Sequence, residues 1–195
     1  MKKPLKYVEA GQDSKVDELY VTIKNTFGIS FVPNFFKVIA KHHDVFDGIW
    51  TAYENILAEG ELPLQVKEMI FLYTALEKGC VYCSSTHLAV CDMLNIESKN
   101  IHGLKNDLNK VTPKELQVVL KLIQKYIQDP KSILEEDREI LKKMGFSDCE
   151  ISEVICMVHL SYTAVSMALF MNLDDIENEI NEYLSDNNLD TGLVC

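Results

Sequence analysis

Apolar residues along the chain recur at spacings of three and four, and no stretch settles into the alternation of a half-buried strand. Asp13 or Ser14 starts a predicted helix that runs through Phe27 to a break at Gly28. Phe31-Val32-Pro33-Asn34 turns the chain into a helix over roughly 34–42, and Asp44 caps the next, which carries Phe46, Trp50 and Tyr53 and ends before Gly60. Pro63 opens a helix to about Glu77, where a missing N–H costs nothing. Gly79 breaks it, and a further helix is predicted over 80–94. Thr112-Pro113-Lys114-Glu115 and Ser147-Asp148-Cys149-Glu150 both read as capping boxes. The first opens a helix to about Gln128, stopped by Pro130, and the second opens a long apolar helix. Asp174–Asp186 is amphipathic, and the residues after it, through Cys195, read as disordered. The pattern predicts an all-α bundle.

The long apolar segment is the part of this pattern with two meanings. Val154–Leu173 holds no Asp, Glu, Lys or Arg and is about as long as a bilayer span. Its Ser, Thr, Asn and His residues and its acidic flanks favour a buried central helix instead. Its opening, Ile151-Ser152-Glu153-Val154-Ile155, echoes Val66-Lys67-Glu68-Met69-Ile70. A single domain over 1–195 with two similar halves, about 28–110 and about 111–186, accounts for the echo; chance similarity between two buried helices accounts for it equally well.

Composition narrows the function classes. With 195 residues, 47% of them hydrophobic and 25% charged, the chain has the profile of a folded soluble domain. A formal charge of −11 argues against a nucleic-acid partner, which needs clustered Lys and Arg. The lysines at the N-terminus are not followed by an apolar stretch, so no secretory leader and no membrane partner is expected. Six cysteines are too sparse for a disulfide scaffold at this length. The expected compartment is the reducing cytoplasm, where a disulfide is transient and catalytic.

Candidate chemistry concentrates in Cys80-Val81-Tyr82-Cys83-Ser84-Ser85-Thr86-His87. On a helix, Cys80, Cys83 and His87 stack along one stripe, and Cα atoms three apart lie within reach of a disulfide. A helix start there adds unpaired N–H groups and a positive dipole end, which favour thiolate over thiol. A thiol of pKa about 8.5 is only a few per cent ionised at pH 7, and one shifted to about 7 is half ionised. Glu68 lies in an otherwise apolar helix, Met69 to Leu76 being free of charge, and a carboxyl so placed is a candidate proton carrier.

The string Glu68-x11-Cys80-x2-Cys83-x3-His87 resembles the signature of the alkyl hydroperoxidase D and carboxymuconolactone decarboxylase superfamily. Val32-Pro33-Asn34, the Trp50 region and Gly60-Glu61-Leu62-Pro63 resemble its peroxidase-related branch, so the likeness covers roughly residues 28–96. The resemblance implies an all-helical, AhpD-like homo-oligomer (trimer, hexamer or dimer) that reduces hydroperoxides in an antioxidant role. It implies Cys83 as the peroxidatic sulfur, Cys80 as the resolving one, His87 as proton relay and Glu68 as general base. Where such hydroperoxidases often carry a second histidine between the cysteines, this chain has Tyr82, a hydrogen-bond donor that cannot shuttle protons near pH 7. The implied partners are a small hydroperoxide and a dithiol reductant protein, with no metal or organic cofactor.

Rival readings use the same residues. The pair could serve a protein partner as a general thiol–disulfide oxidoreductase, or hold zinc through Cys80, Cys83 and His87 with Glu68 or Cys91 as fourth ligand. The zinc reading lacks a second CxxC or HxxxH. Lactone decarboxylation does not need paired thiols, and the intact set of four residues argues against an inactive binding protein. Elsewhere, Cys91, Cys149 and Cys156 read as core thiols, Cys195 as exposed and His159 as a hydrogen-bonded core residue. Trp50, Tyr53 and Phe46 also read as core, and His42 and His43 as either pocket or helix end.

Overall fold

Nine consecutive residues, Lys67 to Ala75, are buried in one helix, α4 (Leu64–Lys78), and a helix buried all round must lie at the centre of its neighbours. Two of those neighbours matter most: α5 (Val81–Met93) and α9 (Asp148–Phe170) both pack along it. The computed structural model describes residues 5–192. Within them the remaining α-helices are α1 (Ser14–Phe27), α2 (Asn34–Ile39), α3 (His43–Tyr53), α6 (Ser98–Asn106), α7 (Lys114–Gln128), α8 (Glu135–Lys143) and α10 (Asn178–Asp186). No strand occurs among the described residues, so the all-α expectation holds. Cys195, expected to be exposed, lies outside them.

Most breaks fall where the sequence puts them. Asp13 caps α1 by accepting from the Lys15 N–H at 2.9 Å, and Gly28 closes it in the left-handed conformation. The Ser147 box forms in full: the Ser147 side chain accepts from the Glu150 N–H at 3.0 Å, and the Glu150 carboxylate accepts from the Ser147 N–H at 2.8 Å. Other expectations need correcting. The helix expected over 34–42 stops at Ile39. His42, not Asp44, takes the N-cap position of α3, and the Asp44 side chain pairs with His43 at 3.1 Å instead. Past Tyr53 the helix widens into a π-turn, Glu54–Ala58. The Thr112 box does not form, because the Thr112 N–H and hydroxyl both donate to the Asn100 side chain, at 2.9 and 3.3 Å. Pro113 occupies the cap instead.

The long helix α9 is only half a core element. By length and composition it could cross a membrane, yet 44% of its most apolar window is buried. One face packs on α4, where the Ser161 hydroxyl donates to that of Thr74 at 3.1 Å, and Val154, Met157, Val158 and Val165 are buried with Ser161. The other face leaves Ile155, Leu169 and Phe170 exposed. Cys149 and Cys156 are therefore exposed rather than core thiols. His159 is exposed too, though hydrogen-bonded as expected, to the Tyr126 hydroxyl at 2.7 Å and the Ile155 carbonyl at 2.8 Å.

A buried ion pair ties α9 to the start of α4. The Lys67 ammonium lies 2.5 Å from Glu153 and also donates to the Glu59 carbonyl. Glu153 in turn accepts from the Glu61 and Leu62 N–H groups, at 2.8 and 3.1 Å. Partial desolvation opposes its ionisation, but Lys67 and the two amides prevail and hold the carboxyl below the usual range. Its stabilising contribution is therefore present at neutral pH and lost on acidification through that lowered value. Glu153→Gln leaves the Lys67 ammonium buried without a counter-charge, at an expected cost of about 3 kcal/mol or more. A urea denaturation midpoint at pH 7 that matches that of the native protein would show the pair to be dispensable.

Candidate active site

The site begins with a two-residue reversal between α4 and α5. Gly79 sits at φ 67°, a conformation that side-chain-bearing residues rarely adopt, and closes α4. The Cys80 N–H returns to the Ala75 carbonyl at 3.0 Å, so the next helix starts at once. Cys80 is its N-cap, so the helix proper starts at Val81, one residue after the predicted start. Its sulfur takes the place of a capping oxygen and accepts from the Cys83 N–H at 3.2 Å. Cys80 and Cys83 are joined as a disulfide, their Cα atoms 5.4 Å apart. The spacing rule thus places the two sulfurs together, as expected.

One turn beyond Cys83, His87 meets α4. Its Nδ1 lies 2.6 Å from a Glu68 carboxylate oxygen, and the carboxylate is 4% exposed. Phe71, one turn beyond Glu68, stacks on the imidazole with ring centroids 3.6 Å apart and planes 18° from parallel. With Nδ1 committed to Glu68, Nε2 is the nitrogen left to face a reacting group. Glu68, Phe71, Cys83 and His87 line one cavity of about 330 Å³. Aromatic and aliphatic side chains from the 26–36 segment, Tyr53, the π-turn and Ile180 of α10 make up much of the remaining wall. Cys83 reaches this cavity; Cys80 is not among its lining residues and is 1% exposed.

Tyr82 lies in the same wall but does not address the sulfurs. Its hydroxyl donates to Glu177 at 2.8 Å and accepts from the Phe35 N–H at 3.2 Å. Glu177, just before α10, also accepts from the Asn34 N–H, while its second oxygen is buried without a partner. Burial pushes the Tyr82 phenol well above its usual value, and Glu177 adds to the effect. Sequence reasoning missed Glu177, which reads as one more acid in an acidic tail. Asn34 enters the sequence reading through its turn and the Val32-Pro33-Asn34 resemblance, and its side chain also donates to the Asp175 carbonyl at 2.9 Å. Cys91, one turn past His87, is a buried thiol as expected, raised by desolvation and away from thiolate chemistry. His42 and His43 do not line the cavity.

No protein-family model and no curated protein matches the chain. Solved structures do. An uncharacterized peroxidase-related protein with an alkylhydroperoxidase AhpD core, from Ralstonia eutropha, is 19% identical, with a TM-score of 0.78 over 94% of this chain and 97% of that one. A peroxidase-related protein from Silicibacter is 20% identical, with a TM-score of 0.79 over 92% and 97%. The debrominase Bmp8, solved with 2,3,4-tribromopyrrole, is 14% identical, with a TM-score of 0.77 over 95% and 98%. The chain has the AhpD-like fold. On that fold the four residues singled out by spacing converge in two pairs, Cys80 with Cys83 and Glu68 with His87. Among the described residues no three His, Cys, Asp or Glu side chains gather as metal ligands.

Glu177 gives this AhpD-like site a pH dependence. Burial raises its carboxyl above the ordinary 4.5, although the Asn34 amide and the Tyr82 hydroxyl oppose the shift. Stability from this group is complete below about 4.5 and falls as pH rises through the raised value. Glu177→Gln removes the ionisation while keeping one acceptor oxygen. Urea midpoints compared at pH 4.5 and 7.5 should move in favour of the variant at the higher pH. A gap that stays constant between the two would mean that Glu177 does not titrate there.

Proposed function

We propose that the protein is a thiol-dependent peroxidase that reduces organic hydroperoxides through a Cys80/Cys83 dithiol–disulfide cycle. The observation that carries this reading is the asymmetry of the pair: Cys83 opens into an apolar cavity one turn from the Glu68–His87 couple, and Cys80 lies behind it. The Cys83 thiolate attacks the terminal, hydroxyl-bearing oxygen of the hydroperoxide, the O–O bond breaks, and the departing alkoxide takes a proton delivered by way of His87 and Glu68. The products are a Cys83 sulfenic acid and an alcohol. The Cys80 thiol then displaces the sulfenic oxygen as water, which forms the disulfide. A dithiol reductant attacks Cys83 and expels Cys80 as a thiolate that the Cys83 N–H already faces. One hydroperoxide and two thiols thus become an alcohol, water and a disulfide. The dithiol reductant, a homo-oligomeric assembly and a cytoplasmic setting belong to the same proposal.

Burial constrains every thiol-exchange step alike: Cys80 and Cys83 are 1% and 5% exposed, so the dithiol that reduces the pair has to reach Cys83 through the cavity. A second reading has one observation in its favour. The cavity wall is rich in aromatic rings, and the debrominase of like fold is solved with a brominated pyrrole. There the dithiol exchanges a ring C–Br bond and two S–H bonds for C–H, H–Br and S–S. Bromide release from that pyrrole distinguishes this reading from peroxide consumption.

With cumene hydroperoxide and excess dithiothreitol, Cys83→Ser is expected to lower peroxide consumption at least 100-fold. Cys80→Ser is expected to complete one turnover and stop at an oxidised Cys83. The reduced native protein should lose two thiols per equivalent of peroxide. Full steady-state activity in Cys83→Ser would refute the peroxidase assignment.

A further inference from the structure

Tyr53 stands in the cavity wall with an unused hydrogen-bond donor. It ends α3, is 6% exposed, and its hydroxyl makes no hydrogen bond to any described residue. Two other buried phenols are bonded, Tyr20 to the Val8 carbonyl at 2.7 Å and Tyr82 to Glu177, whereas the Tyr73 hydroxyl is buried in the core without a hydrogen bond. The Tyr53 oxygen, unlike that of Tyr73, is not sealed in the packed core: it keeps open surface where the residue lines the cavity. Three of the rings around it are already phenylalanine.

Those rings also fix its position. Phe35, Phe36 and Phe71 lie 5.8, 5.1 and 6.2 Å from the Tyr53 ring, centroid to centroid, and Phe71 is the ring that stacks on His87. Directly after Tyr53 the chain enters the π-turn, a distortion frequent at functional sites, whose Leu57 and Ala58 line the same cavity. Burial, with a lesser contribution from Glu68, keeps the phenol protonated, so it acts only as a donor or as a neutral acceptor. At about 330 Å³ the cavity is at the small end of ligand pockets, and its lining suits an apolar body.

We propose that Tyr53 is a substrate-binding residue whose hydroxyl donates a hydrogen bond to the oxygen of a small, apolar hydroperoxide, and to that of the alcohol it becomes, within the cavity that Cys83 faces. The substrate class follows from the wall: an alkyl or aryl group against Phe27, Phe36, Leu57 and Val90, and one oxygen function at the Tyr53 end. This rests on the peroxidase reading for its chemistry, and its test does not depend on turnover.

The test uses the oxidised, disulfide form of the native protein and of Tyr53→Phe, titrated calorimetrically with cumyl alcohol and with cumene. Cumyl alcohol has the body of cumene hydroperoxide and one oxygen, and it cannot oxidise a thiol. Tyr53→Phe is expected to weaken cumyl alcohol binding about tenfold and to leave cumene binding unchanged, with a denaturation midpoint equal to or above the native one. Equal cumyl alcohol affinity in the two proteins overturns the assignment. So does an equal loss for cumene, which marks a reshaped cavity, and so does a native protein that binds neither. Peroxide consumption by the native protein is read separately, so a failure of the peroxidase reading and a failure of the Tyr53 contact give different results.

Discussion

Burying the Glu68 carboxylate among aromatic rings requires a partner, and the His87 imidazole 2.6 Å away supplies it. An unpaired carboxylate at that depth is disfavoured by several kcal/mol, so the register of α4 against α5 is not free to slide. Residues one turn apart on a helix are separated by about 5.4 Å along its axis, so once His87 is fixed, Cys83 is fixed at the cavity wall. Gly79 allows the arrangement by reversing the chain without an intervening loop, and Cys80 caps the second helix with its own sulfur. The fold therefore delivers thiol, imidazole and carboxylate from a single helical hairpin.

The hairpin alone would leave these groups on an open face. Closure comes from chain segments far away in sequence, namely the 26–36 stretch and α10, and they meet at Glu177. That one carboxylate takes hydrogen bonds from Asn34 at the start of α2 and from Tyr82 between the two cysteines. Tyr82 thus does a different job from the one its position suggests. It is not a proton donor waiting beside the sulfurs but the point at which α5 is fastened to the segment that covers it.

This division explains what could be read in the sequence. Gly28, Gly79, Pro63 and the Ser147 box act within one turn of chain, and each falls where local rules put it. Glu68, Cys80, Cys83 and His87 lie within 20 residues and on two adjacent helices, so spacing alone brings them together. Glu177 and Tyr53 carry no such signal: an acid in an acidic tail and an aromatic at core spacing look ordinary until distant chain surrounds them. The outward face of α9 was misread for a related reason. Its apolar residues continue around the helix, so periodicity could not tell the face on α4 from the face carrying Cys156 and Ile155.

The echo between the openings of α4 and α9 has a physical counterpart, whatever its origin. Glu68 and Glu153 both sit at the flanks of α4, but they meet different partners. Glu153 meets the Lys67 ammonium together with two backbone amides, and no proton need move for that pair to hold. Glu68 meets an imidazole, whose two ring nitrogens let it accept a proton at one and give one up at the other. Lys67 and Glu68 are neighbours on one helix, separated by about 100° of turn, so one contacts α9 and the other α5. The same acidic side chain is a fastening on one side of α4 and, in the proposed function, a proton carrier on the other, and the partner it meets decides which.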